Sequence, residues 1–367
     1  MKKFLYITDQ DEYTDHSFIG PLFKKYLKDF YDVDSVYFSD FKDDTQFKDD
    51  RYVVPTRFQD DVLGELERYG VDVSQYDYVT VRNTGAILKT IVKAKDVYNF
   101  KVIYRFSFPK RRAQIAFGKK SGFFNMLDNK IKTITETNLI NQCDLFMPAS
   151  YKLHVDFFED VDIKRYILPP AIDPELLHDN IQHEGEEKRF FFMGALDKIR
   201  EFDTVLEAFG NVSGKFKLMI ATEEEDYAKE LIAKYPSLKV GENVEFHVAT
   251  TKQELLALIA LADVGISLLP NQPIFDTSTP VKVLNYYSSA VPCIMTPNAD
   301  NKEIFTDDYN AWFSKFNAVS IKNRVDDIIA LSKDEVADFG VKGQNRLLEI
   351  RNYKTMAKQV FDACEKL

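Results

Sequence analysis

Two short stretches of this 367-residue chain hold the residue types that handle phosphate. The first is Gly194-Ala195-Leu196 followed by Lys198 and Arg200, a glycine turn with two cations close behind it. The second is Asp276-Thr277-Ser278-Thr279-Pro280, a polar turn leading into VKVLNYYSSA, where Val283, Leu284 and Tyr287 share one face of a helix. A loop that feeds a helix start presents unpaired N–H groups and the positive end of the helix dipole, and both suit an anion. Arg200, with Lys198 and Lys282 in reserve, is a cation available to such an anion. The alternative for Arg200 is a solvated cation at a helix start. Gly194, Thr277, Ser278, Thr279 and Pro280 are candidate phosphate contacts on this reading.

The elements that must position these residues alternate in kind. KKFLYITD reads as a buried strand, GPLFKKYLKDFY as a helix, YDYVTVRN as a strand, GAILKTIVKAKDVYNF as a helix and KVIYRFSF as a strand. The pattern starts again at KRFFFMGALDKIREFDTVLEAF. Strands separated by helices of this length imply βαβ units, an α/β fold and parallel sheets, in which ligands bind beyond the C-terminal strand ends. Arg82, Arg105 and Ser107 fall at such ends. Arg105 interrupts an apolar run, which is costly unless it faces a cleft, on an acceptor side, or belongs to a structural ion pair. Gly20, where a loop meets a helix, permits close approach of a ligand because it lacks Cβ.

Composition narrows the class. A net charge of -10 weighs against non-specific nucleic-acid binding. Cys143, Cys293 and Cys364 are odd in number and scattered, which fits a reducing compartment and neither a disulfide framework nor a zinc site. The two Asp-Val-Asp triplets, at 32–34 and 160–162, read as solvated turns, so no bound metal is expected. The start MKKFLYITDQD turns polar too soon for a signal peptide, and no run reaches the roughly 20 apolar residues of a membrane span. A cytoplasmic protein, or one lying on a membrane, is expected. Between Pro109 and Lys132 there are seven cations, among them Lys110, Arg111, Arg112, Lys119 and Lys120, against one anion, with Phe117, Phe123 and Phe124 interleaved. That mixture suits an anionic bilayer surface. An ordinary helix pair with a solvated basic face is the alternative.

Three segments carry a resemblance. GALDKIREFD is similar to a G-R-L-x-x-x-K-G-x-D pattern, with Ala195 at the arginine, Arg200 at the lysine and Glu201 at the second glycine. VEFHVATTKQEL is similar to V-x-F-x-G-x-V-x-x-x-E-L, with Val248 at the glycine and Thr250 at the second valine. PVKVLNYYSSAVP is similar to P-x-K-x-x-E-Y-x-x-x-G-x-P, with Asn285 at the glutamate, Ala290 at the glycine, and Thr277 where another glutamate stands eight residues earlier. In these the chain resembles the two-domain nucleotide-sugar glycosyltransferases of the GT-B fold, family 4 type.

The resemblance implies two Rossmann-like domains facing across a cleft, an acceptor domain at 1–172 and a nucleotide-sugar domain at 173–345, with a C-terminal helix at 346–367 crossing back. The adjacent Pro169 and Pro170 stiffen the entry to that boundary. It also implies a first loop, with His16 and Gly20, that faces the cleft. Backbone at Val248 and Thr250 would meet the nucleobase, and Asn285 would stand where a carboxylate holds the ribose. The implied activity is retaining, metal-independent hexosyl transfer, without a cofactor, from a UDP- or GDP-sugar to a glycan or lipid-linked acceptor. Bacterial surface polysaccharide assembly at the inner face of the cytoplasmic membrane is the implied setting. Ala195, Thr277 and Asn285 in place of charged residues leave a second possibility, a non-catalytic relative that binds a glycan or a partner transferase.

Overall fold

The structure is a computed structural model that describes residues 1–8, 19–48, 51–108, 123–181, 184–196 and 198–367. The chain forms two compact units, Met1–Pro169 joined by Tyr353–Leu367, and Pro170–Asn352. Each is built on the alternation read from the sequence. Among the described residues no helix is long and apolar enough to cross a membrane.

In the first unit β1 (Lys3–Thr8), β2 (Asp32–Ser39), β3 (Gln46–Lys48), β4 (Arg51–Pro55), β5 (Tyr76–Arg82), β6 (Lys101–Phe106) and β7 (Leu145–Pro148) make a seven-stranded sheet in the order β3-β4-β2-β1-β5-β6-β7. All pairs are parallel except β3 with β4. Phe4 to Ile7 are wholly buried, as expected of a central parallel strand covered on both faces. Helices α1 (Ile19–Lys24), α2 (Val62–Arg68), α3 (Gly85–Tyr98), α4 (Phe123–Ile140) and α5 (Tyr151–Phe157) join the strands. Tyr6 stacks on Phe23 of α1 with ring centroids 4.4 Å apart.

A late helix completes this unit. Tyr353–Cys364 carries Phe361, whose ring lies 5.0 Å from that of Phe30 and 5.4 Å from that of Tyr31. The Glu365 carboxylate just beyond it accepts hydrogen bonds from Lys2 Nζ at 2.8 Å and from the Tyr31 and Tyr78 hydroxyls at 3.0 Å. The ammonium and the two phenols hold that carboxyl below its ordinary range.

In the second unit β8 (Lys188–Met193), β9 (Phe216–Ala221), β10 (Val244–His247), β11 (Val264–Ser267), β12 (Cys293–Met295) and β13 (Trp312–Phe313) form a parallel sheet in the order β10-β9-β8-β11-β12-β13. In chain order its helices are α6 (Phe202–Gly210), α7 (Glu225–Ile232), α8 (Lys252–Ala260), α9 (Val281–Ser288), α10 (Ala299–Ile304), α11 (Ala318–Ala330) and α12 (Lys333–Ile350), which makes Tyr353–Cys364 α13. The sequence reading began the C-terminal helix at 346, whereas α12 runs unbroken to Ile350 and belongs with the second unit.

Helix α9 is fixed by its two buried tyrosines. The Tyr286 hydroxyl donates to the Ile266 carbonyl of β11 at 3.1 Å, and the Tyr287 hydroxyl donates to Asn310 at 2.5 Å and accepts from the Cys293 amide at 3.2 Å. Room for the Tyr286 ring exists only because residue 265 is glycine, since a Cβ there would collide with it. Gly265→Ala should therefore destabilise the protein by about 1–3 kcal/mol through overpacking. Chemical denaturation checks this, and a variant as stable as the wild type would show that α9 is not clamped as described.

Candidate functional site

Strand order decides where a ligand can enter the second unit. The chain runs outward from β8 through β9 to β10, then returns to the other side of β8 with β11, so the sheet reverses direction between β8 and β11. Loops leaving those two strands at their C-terminal ends diverge and leave a crevice. The loop from β8 begins with Gly194, and the loop from β11 runs to Pro280 and α9.

The two loops meet at Lys282. Gly194 adopts φ +122, a backbone conformation that favours glycine, and a Cβ there would lie 3.5 Å from Lys282 Nζ. The same ammonium sits 4.3 Å from the centroid of the Phe192 ring, a cation–π contact that orients it at the strand end. Asn285, one turn along α9 and half-buried, makes no side-chain hydrogen bond among the described residues. Lys282 thus brings the start of α9 to the Gly194 backbone, with Asn285 one turn further along the helix.

What shapes the loop before α9 is Asp300 on α10. Its Oδ2 accepts hydrogen bonds from the Thr279 amide and the Thr279 hydroxyl, both at 2.7 Å. The Arg351 guanidinium grips the same carboxylate with both terminal nitrogens, Nη1 at 2.9 Å from Oδ2 and Nη2 on Oδ1. Thr277 Oγ1 donates to the Ile274 carbonyl at 3.1 Å, and the Asn298 amide donates to the Ser278 carbonyl at 3.3 Å. Thr277 and Thr279 were read from sequence as phosphate contacts, but their hydroxyls are spent on the loop itself. What they supply is its shape. Burial alone would raise the Asp300 carboxyl, yet Arg351 and Thr279 hold it below its ordinary value.

A second opening of about 370 Å³ lies at the ends of β8, β9 and β10, lined by Gly194, Ala195, Thr222, Glu223, His247 and Val248 among others. Val248 stands exposed on its wall. Thr250 does not offer its amide there. That N–H and the hydroxyl both donate to Glu254, at 2.8 and 2.7 Å, as part of the N-terminal cap of α8. His247 is half-buried and lines this opening.

The remaining candidates fall as follows. Arg200 ends the 3-10 turn Lys198–Arg200 and is half-buried. Next to it Glu201 has φ +48, left-handed, at the position where the resembled pattern carries glycine. Gly20 is buried in the first turn of α1. Arg82, Arg105 and Ser107 are buried together at the ends of β5 and β6 in the first unit. His16, Lys110, Arg111, Arg112, Lys119 and Lys120 lie outside the described residues. Asp300 and Arg351 were missed, and no local signal could have found them, since they are 51 positions apart and meet only in the fold.

Breaking the Asp300 pair should be severe. Asp300→Ala leaves the Arg351 guanidinium buried without its partner and should cost about 3–5 kcal/mol. The native carboxyl titrates below its unfolded value, so its contribution is complete above the ordinary aspartate range near ~3.9 and is lost as pH falls through the native value. Denaturation from neutral pH downward should give a steeper acid loss for the wild type than for Asp300→Asn. Parallel profiles would show that the pair does not form.

Comparison with known proteins bears on the fold. Residues 173–346 match the family model described as Glycosyl transferases group 1. No curated protein matches the chain in sequence. Among solved structures, sucrose-phosphate synthase from Thermosynechococcus elongatus superposes with a TM-score of 0.77 at 12% identity, over 100% of this chain and 99% of that one. HepE of Anabaena, in complex with UDP and glucose, gives 0.71 at 12% identity over 100% of both chains. The lipopolysaccharide outer core galactosyltransferase WaaB gives 0.62 at 11% identity over 98% of this chain and 99% of that one. At such identities the likeness is one of fold. The chain thus has the GT-B fold, and within it residues 173–346 match the glycosyl transferases group 1 model.

Proposed function

We propose that the protein transfers a sugar from a nucleotide-sugar donor to an acceptor hydroxyl. The observation that carries this reading is the approach of Lys282 to Gly194 at the point where the second sheet reverses, with the start of α9 alongside. The start of α9, the Gly194 backbone and the Lys282 ammonium would hold the diphosphate, and Asn285 one turn further on would reach the ribose. The opening at the ends of β8 to β10 would take the base, with Val248 on its wall. Because HepE is described in complex with UDP and glucose, UDP is our first choice of nucleotide and a hexose our first choice of sugar.

Arg200 and Lys282 would stabilise the leaving diphosphate, a task that in other enzymes falls to a metal ion. On this reading the transfer is metal-independent and retains anomeric configuration, with a leaving phosphate oxygen accepting the proton of the acceptor hydroxyl on the same face. Arg82, Arg105 and Ser107 of the first unit are the acceptor-side candidates, and Gly20 is a donor-side one. A glycan or lipid-linked acceptor in surface polysaccharide assembly, at the inner face of the cytoplasmic membrane, fits the basic segment between Pro109 and Lys132. Helix α4 leaves Ile131 and Ile134 exposed beside Lys130 and Lys132. On an anionic surface each such cation contributes about 1 kcal/mol.

One observation favours a second reading, a relative that binds the nucleotide sugar without turning it over. Thr277 is 2% exposed and its hydroxyl is bonded to Ile274, so its side chain is not turned toward a donor sugar. Calorimetry with UDP and GDP should give saturable binding that weakens about tenfold, roughly 1.4 kcal/mol, in Arg200→Ala and in Lys282→Ala. Silence with both nucleotides would remove the donor site. Binding with slow hydrolysis of the matching sugar nucleotide supports the transferase, and binding with none supports the second reading. Co-sedimentation with phosphatidylglycerol vesicles should fall when Lys110, Arg111 and Arg112 are neutralised together, and unchanged partition would remove the membrane contact.

A further inference from the structure

The first sheet reverses direction between β1 and β5, and the residues at its strand ends are unusual. Thr8 is the register partner of Arg82, Arg82 of Arg105, and Arg105 of Met147, so these side chains form one row on one face of the sheet. Both arginines are buried, Arg82 with 5% and Arg105 with 0% of its surface exposed. Arg82 donates Nη1 to the Thr8 hydroxyl at 3.2 Å and Nε to the Ser107 hydroxyl at 3.3 Å. Arg105 donates Nη1 to the Met147 carbonyl at 3.0 Å and to the Phe106 carbonyl. Its Nε and Nη2 have no hydrogen-bond acceptor among the described residues. On the same face, two residues before Arg82, the buried Thr80 hydroxyl has no partner among them either.

A structural ion pair would explain a buried arginine, but Arg105 forms none among the described residues. It lies instead beside a second guanidinium. Burial first, and the Arg82 charge after it, push the Arg105 guanidinium down to about 9, which still leaves it protonated at neutral pH. A buried charge that keeps unused donors and a like-charged neighbour is unfavourable unless an anion joins it. Guanidiniums offer planar pairs of donors that match the oxygens of phosphate or carboxylate. The row ends at Asn83 and Phe108, which are half-buried and exposed.

We propose that Arg82 and Arg105, with the Thr8, Thr80 and Ser107 hydroxyls, form an oxyanion site at the reversal point of the first sheet, and that the molecule bound there carries a phosphate or carboxylate group. If the transferase reading holds, this makes the acceptor acidic; the site itself is independent of that reading. An acidic acceptor also accounts for two cations where a neutral sugar would need only hydroxyl and amide partners.

Calorimetric titration of the full chain with inorganic phosphate at constant ionic strength tests the site, and acetate in a parallel titration separates the two chemistries. Arg105→Met should weaken the tighter of the two anions at least tenfold, and Arg105→Lys, which keeps the charge without the planar fork, at least threefold. Equal affinity in wild type and variants, or no anion binding by the wild type, overturns the proposal. If Arg105→Met does not fold, the lysine variant alone decides by the same threshold. Failure of UDP binding with the Arg105-dependent anion effect intact would sink the transferase reading and leave this site standing. The reverse result would do the opposite.

Discussion

The second unit depends on a buried charge pair, Asp300 with Arg351. Asp300 and Arg351 are both almost fully buried, and their association joins three pieces of chain: the loop that starts α9, the first turns of α10, and the segment at Arg351. The Arg351 carbonyl in turn accepts the Ile172 amide at 3.0 Å, next to the pairing of Ile172 with Asn352. A buried ion pair adds little net stability over an apolar pair of the same shape, but it tolerates few alternatives, because every other arrangement strands a charge. That intolerance sets the direction of α9, and through it the place where Lys282 arrives beside Gly194.

Much of the architecture could be read in the sequence because parallel strands covered on both faces are written as short apolar runs, and helices between them as periodic ones. The register of candidate residues was less legible, and for a physical reason. Glu201 and Ala290 stand where the resembled patterns carry glycine, and at the level of residue type they count as departures. Both nonetheless take left-handed backbone, φ +48 and +50, so the chain keeps the turn and accepts a strain of order 1 kcal/mol at each. Thr277 and Thr279 depart the other way. Their residue types fit phosphate, but a hydroxyl is short, and the nearest acceptors belong to the loop. Thr250 likewise turns both its amide and its hydroxyl to Glu254.

The reversal points of the two sheets solve one electrostatic problem in different ways. In the second unit a single ammonium lies against the face of Phe192, whose quadrupole offsets part of the cost of bringing a cation to the strand ends. In the first, two guanidiniums lie on neighbouring strands, and Arg105 has only backbone carbonyls to meet it among the described residues. The first arrangement is close to self-sufficient. The second holds unmet hydrogen-bonding capacity, and such capacity in a folded protein marks a position selected for something other than stability.

The placement of α13 also bears on biogenesis. Phe361 and Glu365 fill and close the aromatic face formed by Phe30, Tyr31 and Tyr78, yet they are translated only after every residue of the second unit. On the ribosome the first unit therefore waits with that greasy face uncovered while Pro170–Asn352 emerges and folds. A chain ending at residue 352 would leave that aromatic face without the helix that covers it.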